Sequence, residues 1–157
     1  GGLMAQTVDS KTVNMTVNLK AWYDLNIGAA TLTFEDQQPD ISATPANKDL
    51  DATEGPVDVE VFAVMKKSDT LRLVVSATDL DSGEATIGVG AISWVATGTG
   101  FSSGTMATSN VTAGEWASGA SAIRWQTGTF TFKFSRNYAT QEPGDYSTTA
   151  TYTLSVI

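Results

Sequence analysis

The carboxylates are the side chains best placed to do chemistry. In Asp79-Leu80-Asp81-Ser82-Gly83-Glu84, acidic residues stand two and three positions apart within turn-forming neighbours. Hard oxygen ligands at that spacing suit Ca²⁺, which takes six to eight of them. The run lacks the remaining positions of an EF-hand loop, and Asp and Gly are equally favoured in plain solvated turns. Both readings of Asp79, Asp81 and Glu84 therefore stand. Asp49, Asp51, Glu54 and Asp58 form a second acidic group. Paired carboxylates can hydrolyse glycosides when they flank a cleft, but no pattern here sets two of them face to face.

Other chemistries fall away by composition. The chain has no His and no Cys, which removes Cys/His zinc sites, Cys nucleophiles, disulfides and Ser-His-Asp triads. Gly98, Gly100 and Gly104 make a loose glycine motif, but no helix follows and the stretch reads as a turn. The chain is expected to be neither an enzyme nor the holder of a cofactor. Exposed aromatics are the next candidates. Trp22 falls on the polar face of its strand, and Trp116 and Trp125 fall in loop-like context. Flat indole faces stack on the apolar faces of sugar rings, so these three could face a glycan or a host or cell surface. The same residue types also cover edges and protein contacts, and Trp94 reads as a core anchor. Asn14-Met15-Thr16 and Asn110-Val111-Thr112 are glycosylation sequons, meaningful only in a host with that machinery.

The elements that position these residues follow a period of two. Val13, Met15, Val17, Leu19, Ala21, Tyr23, Leu25 and Ile27 alternate with a mostly polar set. That pattern predicts one long half-buried strand, or two collinear ones, ending at Gly28. Residues 35–56 hold three prolines and no alternation. They predict a long loop with one short strand near Ile41. Val57 to Val64 and Leu71 to Ala77 alternate cleanly around Lys66-Lys67-Ser68-Asp69, the pattern of a hairpin. Ile87 and Val89 begin another strand, Ile92 to Ala96 the next, and Phe130, Phe132 and Phe134 mark a core strand. Residues 105–128 read as short edge strands and loops. The closing strand places Tyr146, Thr148, Ala150, Tyr152, Leu154 and Val156 on one face. Seven or more strands at such spacing, without a helical period, predict an all-β, antiparallel, immunoglobulin-like sandwich.

The 157 residues suffice for one domain with a real core. The net charge of −8 repels phosphate backbones and anionic lipid, so neither nucleic acid nor membrane insertion is expected. Thr, Ser, Gly and Asn dominate the polar positions, which points to a secreted, extracellular chain.

The amino-terminal stretch allows a further role. A strand that leaves its own sheet can fill an edge in a neighbour by β-augmentation. Each of Val13, Met15, Val17 and Leu19 buried that way would contribute roughly 1.5–3 kcal/mol. Head-to-tail exchange does not close, so it builds a filament. An ordinary first strand in its own sheet explains the same alternation.

The carboxy-terminal run Pro143-Gly144-Asp145-Tyr146, continuing through Tyr152 and Leu154, resembles the closing strand of bacterial pilin-like domains. These are of the spore coat protein U-like and chaperone–usher fimbrial type. Leu32-Thr33-Phe34, Ile92-Ser93-Trp94 and Gly100-Phe101 resemble other strands of those domains. In that family an incomplete immunoglobulin-like subunit is completed by the amino-terminal extension of the next. The resemblance implies an extension over residues 1–19, with Val13, Met15, Val17 and Leu19 as donor positions, and a β-sandwich over residues 20–157. It implies an acceptor groove at Tyr146, Tyr152 and Leu154, with other copies of the chain as partners in an extracellular filament. Many such subunits carry a Cys pair, which this chain lacks. The alternative is a monomeric carbohydrate-binding or adhesive module.

Overall fold

The computed structural model describes residues 4–117 and 122–157, the side chains of residues 122–124 aside. Eleven strands lie among them: β1 (Trp22–Ile27), β2 (Lys48–Asp51), β3 (Val57–Val64), β4 (Thr70–Ala77), β5 (Leu80–Asp81), β6 (Thr86–Ile87), β7 (Ile92–Thr97), β8 (Gly104–Thr105), β9 (Val111–Ala117), β10 (Ala122–Arg136) and β11 (Ala150–Val156). No α-helix occurs among the described residues. The fold is all-β, and every pairing is antiparallel.

The strongest alternations build the centre. Val57, Val59, Val61 and Ala63 of β3 are buried, and so are Leu71, Leu73, Val75 and Ala77 of β4. β-Branched side chains on a pleated, half-buried surface favour this state. One sheet runs β1-β3-β10-β7-β8, with β2 also pairing the far end of β10; the other runs β11-β4-β9. Their inner faces share one core, in which Phe130 and Phe132 meet Trp94, Leu71, Leu73 and Val75. A small β5–β6 ribbon stands apart.

Several sequence expectations change. β3 and β4 are not a hairpin, because they belong to different sheets. The turn at Lys66–Asp69, closed by Asp69 N–H donating to the Lys66 carbonyl at 3.0 Å, carries the chain across the core instead. Turn residues suit either connection, so composition alone could not separate them. Residues 35–56 contain β2 at Lys48–Asp51, whereas Ile41 is exposed and not in a strand. Val89 begins a short 3-10 turn (Val89–Ala91), not a strand. In the 105–128 stretch, β9 is a seven-residue strand, and β10 already begins at Ala122.

The largest change concerns the first strand. Only Trp22–Ile27 pairs, against β3. Residues 4–21 carry no strand assignment, and every one of them is exposed. Alternation reports which face is apolar, and says nothing of what covers it.

Candidate functional site

Two features stand out: the open side of the two-layer core, and an aromatic patch on the outside of the larger sheet. The open side is set by topology. β9 is tied to the β7–β8 end by an isolated bridge between Phe101 and Gly114. Two backbone bonds flank that bridge: Ser102 N–H donates to the Ala113 carbonyl, and Glu115 N–H to the Gly100 carbonyl, both at 2.9 Å. β11, at the other end of its sheet, therefore lies toward β1. Each of these two strands has one partner strand among the described residues.

The lips of this opening are apolar and only half-covered. Leu25 and Ile27 of β1, followed by Leu32 and Phe34, pack against the core yet stay partly exposed. On the other lip, Tyr152 and Leu154 of β11 do the same, with Tyr146 before them. Tyr146 stands outside β11 and donates its hydroxyl to the Glu142 carbonyl at 2.8 Å. Tyr152 stacks on Phe130, and burial pushes its phenol up to about 12. The sequence reading named Tyr146, Tyr152 and Leu154 as candidate acceptor positions; the structure adds Leu25, Ile27, Leu32 and Phe34 as half-covered apolar residues at the same opening. Their signal was available, since Leu25 and Ile27 continue the apolar face of the extension.

The candidate donor residues are exposed and lie in no strand. Val13 is 76 % exposed, Met15 87 %, Val17 78 % and Leu19 90 %. Such apolar side chains rarely stand in a row in water without a partner. Gly1 to Leu3, the start of the expected extension, lie outside the described residues.

The three tryptophans separate. Trp116 does not face a ligand: it is 7 % exposed, sits edge-on to Phe101 with ring centroids 4.9 Å apart, and its Nε1 donates to the Thr99 carbonyl at 2.8 Å. Trp22 and Trp125 are 62 % and 45 % exposed. With Tyr23, Asp24 and Phe62 they line an open trough of about 400 Å³. Trp125 lies 5.4 Å from Phe62, centroid to centroid, with ring planes at 41°.

The acidic candidates stay apart. Asp79 Oδ1 accepts from Val89 N–H at 2.9 Å, and Asp81 Oδ1 from Gly83 N–H at 2.7 Å. Both cap turns. Among the described residues no group of three or more acidic side chains is arranged to hold a metal ion, so Asp79, Asp81 and Glu84 do not converge. In the other group, Glu54 accepts from Thr33 N–H at 3.0 Å, a bond that holds its carboxyl below the usual value. Asp51 lies 3.9 Å from Lys133. These carboxylates brace loops and strand ends.

No helix among the described residues is long and apolar enough to cross a membrane. No protein-family model matches the chain, and no curated protein matches it either.

Proposed function

We propose that this chain is the structural subunit of an extracellular, pilus-like filament, in which the amino-terminal extension of one copy completes an immunoglobulin-like sandwich in the next. One observation carries the reading: four exposed apolar residues, Val13, Met15, Val17 and Leu19, stand on an unpaired stretch of a chain whose core has an open side. The two are chemically matched. An inserted strand would satisfy the free backbone groups along β11. Its alternate side chains would cover Leu25, Ile27, Tyr152 and Leu154, and each would contribute roughly 1.5–3 kcal/mol. Such an open edge is an aggregation hazard unless something fills it.

The mechanism involves no bond chemistry. Because donor and acceptor lie on different surfaces of one chain, the contact is heterologous and propagates instead of closing. The test is electron microscopy and size-exclusion chromatography of purified wild type and Val17→Asp. Wild type should form uniform filaments, and Val17→Asp should stay monomeric with its strand content kept. A wild type that remains monomeric at high concentration, with residues 13–19 slow to exchange their amide protons, would sink the reading.

A further inference from the structure

We propose that the outer face of the β1–β3–β10 sheet binds a neutral polysaccharide, seated on Trp22, Phe62 and Trp125 with Asp24 as hydroxyl acceptor. This does not depend on filament assembly, because the residues lie on the face turned away from the core. The register fixes that face. Trp22 pairs with Val64 and Asp24 with Phe62. The odd-numbered β3 residues that alternate with them, Val61 and Ala63, point inward and are fully buried.

The site has an aromatic floor and a polar end. Phe62 holds Trp125 by ring contact at 5.4 Å. β10 shifts register between Ile123 and Gln126, and Trp125 falls within that irregular step. Indole faces left in water carry a large unpaid hydration cost, and sugar rings present matching apolar C–H faces. Among the described residues lining the trough, the one charged group is the Asp24 carboxylate. Its Oδ1 already accepts from Leu25 N–H at 2.9 Å, which fixes its orientation. A carboxylate accepts hydrogen bonds from hydroxyls and repels sulfate, phosphate and uronate, in keeping with a chain charge of −8. The trough is open and lies along a sheet face, so it suits a flat chain of rings better than an enclosed cation.

The full chain is run by affinity electrophoresis in gels containing dextran, laminarin, galactomannan, hydroxyethyl cellulose or, as an anionic contrast, alginate. The same sugars are titrated against indole fluorescence. At least one neutral polymer should retard the chain and shift the emission. Trp125→Ala and Trp22→Ala should each weaken that binding about tenfold, with unchanged melting temperature. Should Trp125→Ala melt early, Trp22→Ala alone decides, its side chain being the more exposed. The proposal is overturned if no neutral polymer retards the chain, if the Trp22→Ala variant binds as wild type does, if alginate binds more tightly, or if choline chloride alone quenches the indoles.

Discussion

Tyr152 stacks on Phe130 across the gap between the two sheets, with ring centroids 6.4 Å apart and planes at 24°. The phenol of this pair is held in its neutral form, since burial raises it from 10.0 to about 12. A raised folded-state value means stability that is complete below pH 10 and lost as pH climbs toward 12, because the unfolded chain ionises first. The loss is on the order of 2 kcal/mol. Thermal melts from pH 9 to 12 should fall more steeply for wild type than for Tyr152→Phe; parallel curves would refute the assignment.

Gly100 has φ of +84°, and a Cβ there would strike the indole of Trp116. That indole is held in place by its bond to the Thr99 carbonyl and by the Phe101 ring. Gly100→Ala therefore combines backbone strain with overpacking, and should cost about 2–4 kcal/mol. Urea denaturation gives the number, and a loss below about 1 kcal/mol would show that Trp116 can move aside.

Arg136 gathers the end of the larger sheet. Its Nε bonds Asp36 at 3.2 Å, its Nη1 bonds the carbonyls of Asn137 and Gln141 at 3.2 and 2.6 Å, and its guanidinium lies 4.8 Å over the Tyr138 ring. Tyr138 in turn donates to the Gln37 carbonyl at 3.0 Å. Arg136→Ala should destabilise by about 2 kcal/mol and speed amide exchange at residues 36–38 and 137–141 together. Faster exchange in one of these segments alone would mean that they are held independently.

Chelation should leave the melting temperature unchanged. Asp79 and Asp81 already spend an oxygen each on turn amides, and ligand removal lowers stability only where ligand binds the fold. A drop of several degrees on adding EDTA, restored by Ca²⁺, would reopen the metal reading of these residues.

The two faces of the core were readable in advance because Val57 to Ala63 and Leu71 to Ala77 are buried on one side only, and half-burial is what a period of two records. The phenylalanines at 130 and 132 followed the same logic. The pairing partners were not readable, since alternation is indifferent to what lies opposite. That is why β3 and β4 passed for a hairpin, and why Val13 to Leu19 could be read either as a strand of their own sheet or as one given to a neighbour. β2 buries Leu50 but leaves its other three residues exposed, too little to leave a period. Trp116 was misplaced for a different reason. Its Ser/Ala/Gly-rich surroundings look like a loop, yet Gly100 and Gly114 are small because the indole fills the space beside them.

The crossing from β3 to β4 also bears on how the chain comes together. The smaller sheet is assembled from residues 70–77, 111–117 and 150–156, so β4 is made well before either of its partners. Neither of its pairings joins strands adjacent in sequence, and β3, though β1 precedes it, must await β10. Loop closure on that scale precedes most of the stabilising contacts, which places folding in the slow, milliseconds-to-seconds class of β topologies. Until β9, β10 and β11 have been made, the apolar faces of β3 and β4 lack most of the strands that flank them, which exposes a nascent chain to pairing with its neighbours.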